Sequence, residues 1–333
     1  MKLSIIIVNY RSWGHLQTAL DALQADFPAD WEVIVVDNES QAEPLHEFQA
    51  SFPWVTFVAN AHNSGFGFGC NLGASRTSGA ALLFMNPDVV ASCDDIGSLM
   101  REKAAYPDVA LISPKQVDHS GRPQKVFDDF PGLLNQSKIL KALLRNLCPS
   151  RFMDPHADYD SLTYCDWITG SCLLVSREHF DAIGGWSEDY WMYAEDVDLC
   201  RRGQQLGLRA AYTPNVQVIH AHGGSSRLNV DIKAMTKLEV IISKHVYANN
   251  HFRGARRLTM HLLIGSLKLP LLTVMAIADL ITLRQIAALR VRSKMLVGLF
   301  SYYAGVLRSG TWLSPRAVEN HRHPSERTRP SGR

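Results

Sequence analysis

Between Gly184 and Arg202 the sequence sets aromatic side chains (Trp186, Tyr190, Trp191, Tyr193) beside an adjacent pair of carboxylates, Glu195 and Asp196, and closes on two arginines. Val197, Leu199, Cys200 and Leu206 give the apolar stripe of a helix that begins near Glu195. The macrodipole favours carboxylates at a helix start and stabilises their charged form. An ionised carboxylate beside an aromatic-walled pocket is suited to take a proton from a hydroxyl group. The competing reading is a capped helix whose acids face water.

Two further groups of residues could do chemistry with it. Asn86-Pro87-Asp88 follows an apolar run and offers one carboxylate. A divalent cation bound to a diphosphate needs few protein ligands, because phosphate oxygens and water supply the others. His220, after Val216-Gln217-Val218-Ile219, is a candidate second ligand, and Mn²⁺ accepts imidazole more readily than Mg²⁺. The stretch Asn63-Ser64-Gly65-Phe66-Gly67-Phe68-Gly69-Cys70-Asn71 reads as a turn opening a helix, where glycines allow close backbone approach and a helix N-terminus attracts phosphate. Its spacing is neither the dinucleotide fingerprint nor a P-loop, which argues against a dinucleotide oxidoreductase.

These residues need elements to hold them. Leu3–Val8 is a continuous β-branched run, as in a strand covered on both faces. Gly14–Ala25 carries helical spacing at Leu16, Ala19, Leu20 and Leu23, and residues 31–38 form a second buried strand. A helix over Leu45–Phe52 and strands over Val55–Ala59, Ala80–Met85 and Val109–Ser113 continue the alternation. The pattern predicts a mostly parallel sheet flanked by helices. Ligands of such sheets bind beyond the carboxyl ends of the strands, where Asn9, Asp37 and Asp88 all fall. Farther on, Asp118-His119-Ser120-Gly121 reads as a hairpin turn, Ile139–Leu147 as a short basic helix and Asp154–Asp160 as a loop. Trp167–Val175 reads as one strand, and Leu208–His220 as short strands around a turn at Pro214-Asn215.

With 333 residues and 46% hydrophobic content, the chain can hold one large domain and an appendage. A net charge of +2 argues against a general nucleic-acid surface. The 6 cysteines contain no C-x-x-C pair, which fits reduced thiols in a cytoplasmic protein. The apolar N-terminal run is short and leads into Asn9, Arg11 and Ser12, as a first strand does and a signal peptide does not. From Asn229 onward the chain is helical and basic. Leu258–Leu283 is apolar but interrupted by His261, Lys268, Pro270 and Asp279, so its unbroken piece falls short of the roughly 20 residues of a membrane span. Flanking arginines (253, 256, 257, 284, 290, 292) favour an anionic membrane surface, and the alternative is a helical bundle packed on the main domain or a second subunit. The boundaries expected are 1–228, 229–312 and a disordered tail at 313–333.

In this order the motifs resemble an inverting glycosyltransferase of family 2, and within it the bacterial rhamnosyltransferase branch. The matching pieces are residues 5–10, 35–40, 63–69, 86–88, 167–171, 192–200 and 220–225, spread over roughly the first 230 residues. The resemblance implies the GT-A fold, a Rossmann-like α/β arrangement, with a helical extension after it. It implies a nucleotide-sugar site at Asn9, Asp37, Gly67, Asn71, Asn86 and Asp88, with Asp37 accepting from the pyrimidine ring N–H. It makes Asp196 the base, Glu195 the group that orients the acceptor, and Trp167, Trp191 and Tyr193 acceptor contacts. It places a divalent metal, Mg²⁺ or Mn²⁺, on Asp88 and His220. Asn86-Pro87-Asp88 departs from the usual D-x-D by carrying one carboxylate, so metal dependence is less strict in expectation. The implied activity is transfer of L-rhamnose from dTDP-L-rhamnose to a glycan or lipid-linked acceptor, in the cytoplasm at the inner face of the membrane. A UDP-hexose or UDP-galactofuranose donor and a non-catalytic sugar- or nucleotide-binding subunit remain open. Oligomeric state is not implied.

Overall fold

The computed structural model describes residues 2–39, 42–148, 151–221 and 229–317, with the side chains of 42, 43 and 138 excluded. They fall into two compact units, one from Met1–Asn63, Gly69–Ser187 and Glu195–Leu228, the other from Ser64–Phe68, Glu188–Ala194 and Asn229–Arg333.

The first unit opens with β1 (Leu3–Asn9), α1 (Trp13–Gln24), β2 (Trp31–Asn38), α2 (Ala42–Ser51), β3 (Val55–Asn60), α3 (Phe66–Ser75) and β4 (Ala81–Met85). There follow β5 (Val89–Val90), α4 (Cys93–Ala105), β6 (Val109–Val117), β7 (Phe127–Asp128), α5 (Lys138–Leu147), β8 (Thr163–Cys165) and β9 (Trp167–Ile168). The unit ends with β10 (Cys172–Ser176), α6 (Arg177–Ile183), α7 (Glu195–Gln205) and β11 (Arg209–His220). The main sheet runs in the order β3-β2-β1-β4-β10-β6-β11-β5, with β8 added on β11. Its first half is parallel, and the register sets Asn9 beside Asp37. All of β1 is buried, as its β-branched run demands, and the buried side chains of α1 are the four that helical spacing picks out.

The second half departs from the parallel expectation. β10 runs antiparallel between β4 and β6, while β6 and β11 pair in parallel. The stretch Trp167–Val175 is two strands, because β9 pairs with β7 in a separate ribbon and Thr169-Gly170-Ser171 carries the chain across to β10. Conversely, residues 209–220 form one strand, and the Pro214-Asn215 signal is absorbed by a bulge between Thr213 and Gln217. Leu206 lies beyond α7 and is 56% exposed, so it is no part of the helix's buried stripe. The hairpin at Asp118 is present: the Asp118 carboxylate accepts from the backbone N–H groups of Ser120 and Arg122. The 6 cysteines are all free.

The second unit is built on α8 (Val230–His251), α9 (Gly254–Ile281) and α10 (Ala287–Ser309), which pack on one another. α9 runs unbroken through Pro270, and by length and composition it is long and apolar enough to cross a membrane. Two of its interruptions, His261 and Asp279, turn inward. His261 is buried with its Nδ1 2.9 Å from Nδ1 of His245, and buried Asp279 accepts from the Ser293 hydroxyl at 2.7 Å. The tail is ordered farther than expected: Tyr302 donates to the Trp312 carbonyl, Ser314 N–H donates to the Asp189 carbonyl, and Ser314 and Ala317 are fully buried. The remainder of the proposed tail, from 318, lies outside the described residues, as does the continuation of the histidine motif at 222–225.

Candidate active site

The parallel half of the sheet ends in polar side chains held against each other. Asn9 is fully buried, and its amide donates to the Asp37 carboxylate at 3.2 Å while its oxygen accepts from Ser12 N–H. The neighbouring Asn38 donates to Asn63 and accepts from Asn60. These groups are where the strand ends of an open α/β sheet present donors and acceptors to a ligand.

Across β4 the chain turns at Asn86, whose N–H donates to the Ser171 carbonyl at 2.8 Å. The turn brings Asp88 to the end of β11, where its Oδ1 stands 3.3 Å from Nε2 of His220. Nδ1 of His220 lies 2.7 Å from Oε1 of Gln116, which also accepts from the Ser171 hydroxyl at 2.9 Å. An oxygen there can only accept, so Nδ1 carries a proton, and in the neutral ring that leaves the Nε2 lone pair on the Asp88 side. A carboxylate oxygen and an imidazole lone pair that face each other suit a divalent cation, Mn²⁺ especially, and Gln116 fixes the ring as an outer-shell partner does. Among the described residues no third His, Cys, Asp or Glu joins them, so a cation there would draw its other ligands from a diphosphate and water.

Asp196 is the second residue of α7 and is half-buried. Its Oδ1 accepts from Val197 N–H at 2.8 Å and its Oδ2 from Gly170 N–H at 3.2 Å. Burial pushes its carboxyl above the ordinary carboxylate range, outweighing those two N–H groups and the charge of Lys125. The dipole argument alone points the other way, so desolvation decides, and the result is a stronger base. The segment Thr169-Gly170-Ser171 therefore ties the two chemical groups together: Gly170 holds Asp196, and Ser171, through Gln116, holds His220.

The other expected site residues fall as follows. Asn71 binds the backbone of Trp186 with both ends of its amide, at 2.9 Å each, which clamps the turn before the acidic motif. Trp167 donates its indole N–H to the Asp129 carbonyl and lies under the Lys125 ammonium. Glu195 is buried. Gly67, Trp191 and Tyr193 belong to the second unit. There Trp191 is only 2% exposed and carries Arg316 over its ring at 4.3 Å, whereas Tyr193 is 36% exposed. Trp186, Tyr190 and Trp191 are thus core side chains, and the aromatic wall expected from the sequence reduces to Tyr193. Gly65 in the same unit has φ +92°, and a Cβ there would fall 2.1 Å from the Trp191 carbonyl oxygen.

Sequence reasoning did not single out Gln116, Ser171 or Gly170. A glutamine inside an otherwise apolar strand was the available signal for the first. It also passed over Asp198, whose buried carboxylate accepts from Arg202 at 2.7 Å while that guanidinium caps the carbonyls of Ile183 and Gly185. Asp198 thereby ties α7 to the turn after α6.

The fold is that of the GT-A glycosyltransferases, and two solved structures align with it. The mannosyltransferase PcManGT from Pyrobaculum calidifontis, in complex with GDP-Man and Mn²⁺, aligns with TM-score 0.50 and 13% identity over 98% of this chain and 88% of its own. GalNAc-T7 with UDP, GalNAc and Mn²⁺ aligns with TM-score 0.52 and 14% identity over 74% of this chain and 48% of its own. Residues 4–161 match Glycosyl transferase family 2, and the chain is a glycosyltransferase carrying that domain. It is 26% identical over 233 residues to N-acetylglucosaminyl-diphospho-decaprenol L-rhamnosyltransferase of Mycobacterium tuberculosis (strain ATCC 25618 / H37Rv), covering 66% of this chain and 75% of the relative. It is 26% identical over 234 residues to rhamnosyltransferase WbbL of Escherichia coli (strain K12), covering 65% and 82%. To the low-salt glycan biosynthesis hexosyltransferase Agl10 of Haloferax volcanii it is 28% identical over 225 residues, covering 66% of each.

Proposed function

We propose that this glycosyltransferase moves L-rhamnose, with inversion, from dTDP-L-rhamnose to a hydroxyl of a cell-envelope saccharide carried on a lipid. The observation that carries the chemistry is the placement of Asp196, fixed by two backbone N–H groups on the unit that also holds the Asp88–His220 pair. The two rhamnosyltransferase relatives support the donor, and the diphospho-decaprenol in one name supports the acceptor class.

In this reading Asn9 and Asp37 bind the pyrimidine nucleotide and Asn86 the donor sugar side, with Gly67 and Asn71 on the glycine-rich segment. Trp167 and Tyr193 contact the acceptor saccharide, and Glu195 orients it. Asp196 takes the proton of the acceptor hydroxyl as its oxygen attacks the anomeric carbon. The bond from that carbon to the diphosphate breaks on the opposite face, and one displacement inverts the centre. Asp88 and His220 would hold a divalent metal, which supplies charge stabilisation to the leaving diphosphate when bound. The GT-A domain is residues 1–228. The extension at 229–312 holds the enzyme at the cytoplasmic face of the membrane, through its flanking arginines and the exposed apolar side of α9 (Leu258, Leu262, Val274, Ile277).

A donor panel on the purified chain tests this. dTDP-rhamnose, UDP-glucose, UDP-galactose, UDP-galactofuranose and UDP-N-acetylglucosamine are each supplied with a lipid-linked acceptor extract and Mn²⁺, Mg²⁺ or chelator. Transfer from dTDP-rhamnose, reduced by chelator, is the expected result. Transfer from a UDP-hexose instead, which the hexosyltransferase relative makes the second reading, discards the rhamnose assignment.

A further inference from the structure

The helix α5 is amphipathic with its faces reversed. Its least exposed row is Lys141, Leu144 and Arg145, and both charged members are ion-paired, Lys141 inward. Lys141 bridges Asp128 and Asp129, and Arg145 pairs with Asp154 at 2.9 Å. The apolar row faces solvent instead: Ile139 is 83% exposed, Leu143 54% and Leu147 69%, at successive intervals of four residues. Surface helices bury their apolar row, so this one is built to meet an apolar partner.

What lies beside the row says which partner. A cavity of about 750 Å³ is lined by Arg145, Asn146, Arg151, Phe152 and Tyr159, together with Asp154. The carboxylate of Asp154 is neutralised by Arg145, while Arg151 makes no ion pair among the described residues, so the cavity keeps a positive charge. A second cavity shares Arg151 and reaches Asp129 and Cys200. Cys200 is one helical turn after Asp196 on α7. Lys141 also anchors α5 to Asp128, which pairs with Trp167 in the β7–β9 ribbon leading into Gly170. An apolar ridge and a cationic cavity thus adjoin within the first unit, and the second cavity runs on to the helix that carries Asp196. An acceptor whose saccharide is joined through diphosphate to a hydrocarbon chain presents an apolar chain and a diphosphate in the same succession.

We infer that α5 and the cavity at Arg151 bind the lipid diphosphate of the acceptor: the isoprenoid-like chain lies along Ile139, Leu143 and Leu147, and the diphosphate lies at Arg151. This rests on the reading of the acceptor as a lipid-linked saccharide. It adds the part of the protein that recognises the carrier rather than the sugar.

Binding without sugar transfer tests it. Farnesyl diphosphate, farnesol and inorganic diphosphate are titrated calorimetrically into the full chain, in chelator so that diphosphate is not held by metal at Asp88 and His220. Farnesyl diphosphate is expected to bind at least tenfold more tightly than either fragment. Leu143→Glu and Arg151→Glu, both exposed changes whose folding is checked by thermal melts, should each weaken it about tenfold and leave dTDP affinity unchanged. Equal affinity for farnesyl diphosphate in wild type and Leu143→Glu overturns the inference. So does a Leu143→Glu variant that loses only its binding to phosphatidylcholine–phosphatidylglycerol vesicles, since the ridge would then be a bilayer contact. Failure of every donor in the panel would remove the transfer reading and leave this binding result standing.

Discussion

Two groups of buried titratable side chains invite comparison, one at the strand ends of the first unit and one inside the helical unit. In the helical unit His245 lies 2.9 Å from both His261 and the Tyr303 hydroxyl, and His261 stacks on Trp312 at 3.8 Å. Burial lowers His245 to about 3 and His261 to about 4, and raises Glu239 to about 7 despite Arg316. In the first unit the perturbed group is Asp196, at the start of α7, and the same unit holds the paired Asp88 and His220 at strand ends. A shifted proton affinity therefore marks desolvation in both places and does not identify chemistry. The arrangement does. His245 is bonded through both ring nitrogens, to His261 and to the Tyr303 hydroxyl, inside a packed interior, whereas Asp88 and His220 turn unlike ligand atoms toward each other and Asp196 is partly exposed.

That contrast can be broken by substitution. The largest effect is expected from Asp196→Asn, which should lower kcat by about 10²–10⁴-fold while donor affinity, read by titration, stays within about twofold. Asp88→Ala should cost turnover on the order of 10²-fold and abolish the response to added Mn²⁺. Gln116→Leu, which removes the acceptor that fixes the His220 ring, should weaken Mn²⁺ binding about 10-fold, measured by electron paramagnetic resonance of the free ion. Asp198→Ala strands Arg202 and should lower unfolding free energy by about 3 kcal/mol in denaturant titrations.

The smallest effect belongs to the helical unit. Glu239 has a folded pKa of about 7, above its ordinary value, so its contribution to stability is complete below the unfolded pKa and is lost as pH rises through about 7. Glu239→Gln should flatten the fall in Tm between pH 5 and pH 8 and leave turnover within about twofold. A large loss of turnover in that variant would erase the distinction between the two groups.

The parallel half of the sheet was legible because its strands are buried on both faces. β1 and β2 are apolar runs that end in Asn9 and Asp37-Asn38, and α1 shows its four buried positions by spacing alone. The other half was not, because tertiary pairing overrides local pattern there. Nothing in Trp167–Val175 announces that Thr169-Gly170-Ser171 leaves one sheet for another, yet that crossing holds both Asp196 and the Gln116–His220 pair. Likewise the aromatic residues of the acidic motif looked like a pocket wall and are core, since type and proximity in sequence do not say which face is turned inward. The composition of α5 says only that it is basic, and the structure shows Lys141 paired inward with Ile139, Leu143 and Leu147 outward.

The central claim is that Asp196 accepts the proton of the acceptor hydroxyl. The pH dependence of kcat at saturating donor, compared between wild type and Asp196→Asn, tests it most directly. Turnover requires the ionised carboxylate, so wild-type kcat should fall as pH drops through a midpoint above the ordinary carboxylate range, and the residual rate of the variant should lack that limb. The same acid limb in both proteins, with comparable kcat, would contradict the assignment.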